Sequence, residues 1–92
     1  MQITQMINSN GNPAANQFII NADDGQYFQS YDTLIAFKPR NGDTPTVTGS
    51  WDHSQTTLKH LKLFLGTSLN EGQIRDRLKS GALIYTDVIT IK

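Results

Sequence analysis

The sequence predicts a small α+β domain in which an antiparallel sheet, a meander of about four strands plus a C-terminal strand, carries two helices packed on one side. Three observations lead to this fold class. Short apolar and aromatic runs alternate with turn signals up to residue 51, two helix patterns with start and stop signals follow, and a β-branched run ends the chain. At 92 residues there is room for one such domain.

Residues 1–16 are predicted to form a flexible N-terminal arm, and residues 17–92 a single α+β domain. The arm is rich in Asn, Gln and Ser, and Gly11 and Pro13 interrupt any regular pattern. Ile3, Met6 and Ile7 are apolar enough to add a short edge strand. We expect this arm to be held only loosely.

The first predicted hairpin joins the runs QFII and QYFQSY. Its turn is placed at Asp24-Gly25, a dipeptide that suits the positive φ angles of a type I′ turn. A two-residue turn pairs Ile20 with Gln29 and places four apolar or aromatic side chains on the face expected to be buried: Phe18, Ile20, Tyr27 and Tyr31. Phe28 then lies on the opposite face, so that face is also partly covered or the register contains a bulge.

The run LIAFK, residues 34–38, predicts a central strand with both faces covered, because it is almost continuously apolar and too short for a helix. A turn follows in PRNGDTP, with Asn41-Gly42 at its tip. Pro45 then predicts that the strand TVTGSW lies at a sheet edge, where a missing N–H group does little harm.

The segment WDHSQTTLKHLKLFLG predicts the first helix. Asp52 or Ser54 is expected to cap its N-terminus, and Gly66 to end it. One apolar stripe at the helical period is expected to be buried: Leu58, Leu61, Phe64 and Leu65.

A second helix is predicted from a capping box that starts at Ser68 and includes Glu71. Its apolar stripe consists of Leu69, Ile74 and Leu78, and Ser80-Gly81 ends it. The β-branched run ALIYTDVITIK then predicts a closing strand.

Composition excludes several classes of protein. The chain has no cysteine, so it has no disulfide framework, thiolate zinc site or cysteine nucleophile. No run approaches the ~18 apolar residues of a membrane span, and the expected location is the cytoplasm. The charge is polarised, with two cations against five carboxylates in residues 1–52 and six cations against three carboxylates in residues 53–92.

No catalytic, metal or cofactor residue is predicted, and the expected protein is not an enzyme. Asp52, His53 and Ser54 are adjacent, whereas a Ser-His-Asp relay depends on side chains that the fold brings together. His53 and His60 are two helical turns apart, about 10 Å, which is too far for one metal ion. No phosphate loop, dinucleotide fingerprint or nucleophile elbow occurs.

Two binding functions agree with the sequence. Two successive helices that carry basic residues resemble a helix-turn-helix in outline and favour contact with nucleic acid phosphates. Aromatic side chains favour docking on a protein, although the single Trp51 is more commonly a core anchor than an interface hot spot. The predicted partner-binding residues are Tyr27, Tyr31, Trp51, Lys59, Lys62, Arg75, Arg77 and Lys79.

The stretches QFII, GQYFQSYDTLIAFK and WDHSQTTLKHLKLFLG, within residues 17–80, resemble a family of small uncharacterised proteins of phages, plasmids and other mobile elements. Its pattern runs F-Q-S-Y-[NDE]-[ST] and later W-D-Y-S-x-T-T-x-K-Y near F-L-G. His53 and His60 stand where that family commonly has tyrosine, which argues against a metal or catalytic use of these histidines. An aromatic packing role suits histidine and tyrosine alike.

The resemblance implies an accessory protein that binds a host protein stoichiometrically in the host cytoplasm. Inhibition of CRISPR or restriction defence is one form of such action. A small nucleic-acid-binding regulator that uses the basic helical region is the alternative.

Overall fold

The computed structural model describes residues 1–8 and 10–91, and in it a six-stranded sheet carries two helices. The elements in chain order are β1 (Gln2–Ile7), β2 (Pro13–Ala22), β3 (Gly25–Ser30), β4 (Thr33–Pro39), β5 (Thr46–Thr48), α1 (Gln55–Leu65), α2 (Glu71–Ser80) and β6 (Ile84–Thr86). Neighbouring strands from β1 to β5 are antiparallel, whereas β6 is parallel to β5. The α+β fold class is confirmed, and the parallel final strand is a departure from the predicted antiparallel sheet.

The N-terminal segment belongs to the sheet. Residues 2–5 pair with β2, and the predicted boundary after residue 16 lies inside β2, so residues 2–7 form an edge strand and not a separate arm. Burial of Met6 in the core explains this placement. The Asn-rich stretch forms the turn, because Asn8 Oδ1 accepts hydrogen bonds from the N–H groups of Asn10 and Asn12. Ser9, in the predicted arm, and Lys92, at the end of the predicted domain, lie outside the described residues.

The β2–β3 hairpin turns at Asp23-Asp24, one residue earlier than predicted, and Ile20 pairs with Tyr27 instead of with Gln29. The predicted register was wrong by two residues. Because side chains alternate with a period of two, this shift keeps Ile20 and Tyr27 on their expected face. The prediction was wrong for Tyr31, which follows the end of β3 and is 50% exposed.

Arg40 explains the position of this turn. Its Nη2 donates to the carbonyl of Ala22 at 2.6 Å, its Nε donates to the carbonyl of Asp23 at 3.0 Å, and its own backbone N–H donates to the carbonyl of Asp24 at 3.0 Å. A residue 16 positions downstream therefore occupies the carbonyls of the turn, which no pattern within the hairpin itself indicates.

Both faces of the sheet are covered, which confirms the prediction for LIAFK. The helix-side cluster contains the buried residues Met6, Ala14, Phe28, Ile35, Ala36, Val47, Trp51, Leu58, Leu61, Phe64, Ile74 and Leu83. The tail-side cluster contains Ile20, Ala22 and Tyr27, against which the partly buried Leu34, Phe37, Ile89 and Ile91 pack. Helices thus cover one face, and the segment after β6 covers part of the other.

A bulge in β4 supplies both clusters. Phe28 pairs with Ala36 and Gln29 pairs with Leu34, so that Ile35 is an extra residue in β4. Ile35 and Ala36 therefore both join the helix-side cluster, whereas Leu34 packs against the tail-side cluster. Because of the bulge, the apolar run of β4 contributes residues to the clusters on both faces of the sheet.

The predicted edge position of the strand after Pro45 was wrong. β5 lies between β4 and β6, and the edges of the sheet are β1 and β6. Pro45 precedes β5, and its carbonyl accepts a hydrogen bond from the N–H of Ile84 at 3.0 Å. Its missing N–H group is harmless because it lies outside the ladder.

Both predicted helices are present, but the capping box predicted for the second one consists of other residues. Ser54 caps α1, with its Oγ accepting from the N–H of Thr57, and Gly66 ends the helix at φ 70°. For α2 the capping box is formed by Asn70 and Gln73, which exchange two hydrogen bonds of 2.9 Å, and not by Ser68 and Glu71.

The predicted stripes face the core: Leu58, Leu61, Phe64 and Ile74 are buried, and Leu65, Leu69 and Leu78 are half-buried. The closing strand is shorter than predicted, at three residues.

The two candidate caps of α1 differ in their expected effect on stability. Ser54→Ala is expected to lower the free energy of unfolding by about 1 kcal/mol, because it leaves a first-turn N–H group without its acceptor. Asp52→Ala is expected to cost no more than about 0.5–1 kcal/mol, because Asp52 pairs instead with the half-exposed Arg75. Urea unfolding of both variants measures the difference, and a larger loss for Asp52→Ala contradicts the assignment.

Candidate functional site

Two of the predicted partner-binding residues are buried. Tyr27 lies in the tail-side cluster, where its hydroxyl donates to Asp24 Oδ2 at 2.6 Å and its ring centroid lies 4.6 Å from that of Phe37. Trp51 is 4% exposed in the helix-side cluster. Both side chains are therefore almost inaccessible to a partner. Of the two roles considered for Trp51, core anchor and interface hot spot, its burial supports the first.

Arg75 is held on the surface by contacts within the chain. Its Nη2 donates to Asp52 Oδ2 at 2.5 Å and lies 3.8 Å from Glu71 Oε2, and its guanidinium carbon lies 5.1 Å from the centroid of the Trp51 ring. A cation stacked on tryptophan and paired with carboxylates fastens α2 to the turn before α1. Arg75 therefore has a structural role.

The other four cations of the prediction have no such partners. Lys59, Arg77 and Lys79 are exposed and Lys62 is half-exposed, and no ion pair joins any of them to a carboxylate in residues 1–8 and 10–91. Leu63 lies beside Lys59 and Lys62 on α1 and is 48% exposed. We call Lys59, Lys62 and Leu63 the basic helix surface. Arg77 and Lys79 are two positions apart on α2 and therefore lie about 200° apart around its axis, so they do not form one surface with these residues.

Lys38 shows the contrast between a structural and a free cation. Its Nζ donates to the carbonyl of Phe64 at 3.0 Å, near the C-terminus of α1, and lies 5.0 Å from the centroid of the Phe64 ring. A cation at this end of a helix stabilises the unpaired carbonyl groups. The lysines of the basic helix surface have no equivalent contact among the described residues.

Tyr31 lies elsewhere, at a polar cleft of about 150 Å³ between the β3–β4 turn and the start of α1. Tyr31 is 50% exposed, with a left-handed φ of 58°, and its N–H donates to the carbonyl of Asn16 at 2.7 Å. The cleft is lined by Ser30, Tyr31, Asp32, Thr33, Ile35, Ser50, His53 and Thr57. The segments FQSYDT and WDHSQTT, on which the family resemblance depends, meet here.

Two buried hydroxyls of the cleft were not predicted. Ser30 Oγ and Thr57 Oγ1 lie 2.9 Å apart in hydrogen-bond contact, and Ser54 Oγ donates to Thr57 Oγ1 at 3.1 Å. The signal for Thr57 is its spacing, because it extends the stripe of Leu61 and Phe64 by one turn toward the N-terminus. Ser30 carries no local signal, since its burial follows from α1 lying over β3.

The geometry separates the residues of the Asp52-His53-Ser54 run. Asp52 accepts from Arg75, Ser54 bonds Thr57, and the exposed His53 makes no hydrogen bond through its ring within the described residues. A hydrolytic relay needs the imidazole between the carboxylate and the hydroxyl, and these three side chains are not arranged in this way.

His60 lies in the interior of the molecule, unlike His53. It is buried on α1, and its Nδ1 lies 2.8 Å from the carbonyl of Thr56. Its Nε2 and both amide atoms of the buried Gln17 have no hydrogen-bond partner among the described residues. Over residues 1–8 and 10–91 there is no group of three or more His, Asp or Glu side chains that would hold a metal ion.

The fold and the site define a small α+β protein with a basic helix surface and a polar cleft beside its first helix. The chain belongs to DUF8033, a family of unknown function whose model matches residues 1–80. No curated protein and no solved structure matches it. Neither helix of the described chain has the length and apolar character needed to cross a membrane.

Proposed function

We propose that the protein acts by binding and not by catalysis, as an accessory protein of a phage or other mobile element that binds a host protein. The basic helix surface carries this proposal. Its cations lack intramolecular partners among the described residues, and Leu63 adds an exposed apolar side chain beside them. Protein interfaces commonly combine an apolar centre with a polar, solvent-accessible rim.

The charge of this surface indicates the chemistry of the partner. An acidic host surface with an apolar recess for Leu63 complements it, because opposite potentials speed association and select the partner. Inhibition of a CRISPR or restriction complex in the host cytoplasm is the form of action we propose, since a small protein that occupies a surface stoichiometrically blocks it without turnover. We assign Lys59 and Lys62 to this interface, whereas Tyr31 lies at a separate cleft.

A pull-down from nuclease-treated host lysate tests the proposal. The wild-type chain is expected to retain a defined host protein, and Lys59→Glu/Lys62→Glu is expected to weaken that interaction about tenfold or more, equal to about 1.4 kcal/mol. Thr90→Glu is the control, because it adds a negative charge at an exposed position in the segment that covers the opposite face of the sheet from the helices. Loss of every partner after nuclease treatment, or equal retention by the lysine variant, contradicts the proposal.

A nucleic-acid-binding regulator is the second candidate. The observation that favours it is that free cations lie on both of two successive helices, where phosphates would contact them. The net charge of zero opposes it, since dedicated nucleic-acid binders are strongly basic. Titration of duplex DNA at two salt concentrations tests this candidate, because DNA binding through about four cations must weaken as the salt concentration rises. Absence of salt-sensitive binding rejects this candidate.

A further inference from the structure

The outer edge of β1 lacks the protection that edge strands usually carry. β1 has six residues, QITQMI, and forms one edge of the sheet. Natural edges are blocked by lysine, proline, bulges or covering segments, since an open ladder pairs with other chains. β1 contains no charged residue and no proline, and residues 1–22 contain no charged side chain at all.

The edge is also regular. The register shift between β1 and β2 lies between Gln5 and Ile7, and the extra residues belong to β2, where residues 14–17 are opposite Met6 alone. β1 itself is therefore continuous from residue 2 to residue 7. A bulge on β1 would have bent its edge away from a partner, and this protection is absent.

The apolar side chains of β1 are exposed on one face. Side chains alternate along a strand, so Ile3, Gln5 and Ile7 share a face, and Met6 faces the helix-side cluster. Ile3 is 63% exposed and Ile7 is 55% exposed. α1 lies over β2, β3 and β4, and the C-terminal residues Ile89 and Ile91 pack against the tail-side cluster, which contains no residue of β1.

We propose that β1 pairs antiparallel with β1 of a second copy of this chain, across a two-fold axis at Gln5, so that one sheet continues through both copies. The choice of a second copy depends on the charge of the edge. A two-fold interface places each residue near its own counterpart. A charged edge would then set like charges against each other. The absence of charged side chains in residues 1–22 removes this repulsion between the paired strands.

The two-fold symmetry restricts the register. Residues directly opposite in an antiparallel ladder lie on the same face, so the axis must pass through a residue and not between two residues. An axis at Gln5 places Ile3 opposite Ile7 of the second copy, and this pair occurs twice. An axis at Thr4 places Ile3 opposite Gln5 and leaves Ile7 opposite Met1. The axis at Gln5 buries more apolar surface and is the register we assign.

The strength of this dimer is limited by its size. A ladder of six residues buries less area than the ~1,200 Å² at the lower end of stable protein interfaces. The dimer is therefore expected to form in a concentration-dependent way. Sedimentation velocity of the full chain from about 1 μM to about 1 mM covers the range of weak association.

Charge substitutions at the two isoleucines test both the edge and the register. Ile3→Lys/Ile7→Lys places two lysines opposite each other twice, and it is expected to raise the dissociation constant at least about tenfold. Ile3→Lys/Ile7→Glu places opposite charges in the same positions, and it is expected to dimerise more tightly than the double-lysine variant. Ile84→Lys, at an exposed isoleucine on the other edge strand, is the control that is expected to leave the dimer unchanged.

Each alternative result has a defined meaning. A wild-type chain that stays monomeric throughout the range overturns the proposal, as does dissociation caused by Ile84→Lys. Equal dissociation of the two double variants overturns the register at Gln5. Thermal unfolding of each variant at low concentration confirms that it is folded, and retention of the fold is expected because both isoleucines are more than half exposed.

Discussion

Replacing Gly25 with alanine is expected to lower the free energy of unfolding by about 3–5 kcal/mol, enough to unfold much of a marginally stable domain. Gly25 has a φ of 151°, in the region that side chains rarely adopt, and it pairs with Pro39 beside the Arg40 contacts. An added Cβ would collide with the carbonyl oxygen of Lys38 and lie 2.9 Å from Phe37 Cε1. Urea unfolding followed by circular dichroism measures the loss.

Gly42→Ala is the matched control for this substitution. Gly42 also has a positive φ, 85°, but an added Cβ there meets no atom within 4 Å. Its expected cost is therefore the conformational one alone, about 1–2 kcal/mol. If both variants lost the same free energy of unfolding, the close approach of β4 to Gly25 would contribute nothing to the cost of Gly25→Ala.

Replacing Trp51 with alanine is expected to lower the free energy of unfolding by about 3–5 kcal/mol, the range for a large aromatic side chain removed from a core. The indole is 4% exposed, belongs to the helix-side cluster and carries the Arg75 guanidinium on its ring. The substitution therefore removes core packing together with the contact that fastens α2. Circular dichroism is the measurement, because the variant lacks the single tryptophan of the chain.

Trp51→Phe separates the two contributions. It retains an aromatic ring for Arg75 and loses only part of the volume, so its expected cost is about 1–2 kcal/mol. A loss below about 1 kcal/mol for Trp51→Ala would contradict the role of Trp51 as a core anchor.

The features predicted correctly depend on residues close together in the chain. The extent of α1 follows from Ser54 and Gly66, whose capping hydrogen bonds lie within one turn of them, and from an apolar stripe at the helical period. The double burial of LIAFK likewise follows from its own composition. The register of the β2–β3 hairpin depends on Arg40, which is distant in sequence, and the pattern of the hairpin was insufficient to place it.

The candidate site also contains features that depend on contacts between segments distant in sequence. Lys59 and Lys62 were predicted on the surface because exposed lysine is the rule, whereas the burial of Tyr27 follows from its place on the sheet face that the C-terminal segment partly covers. Aromatic side chains are found equally in cores and at interfaces, so tertiary contacts decide between these roles. The cleft at Ser30 and Thr57 required two segments to meet, which neither segment indicates alone.

The order of the strands in space is the same as their order along the chain. Each antiparallel pairing from β1 to β5 thus closes only a short loop, and the sheet can grow strand by strand as the chain is synthesised. The β5–β6 pairing closes a loop that contains both helices. The last strand and the segment that covers the tail-side cluster are thus the parts that must wait for the rest of the chain.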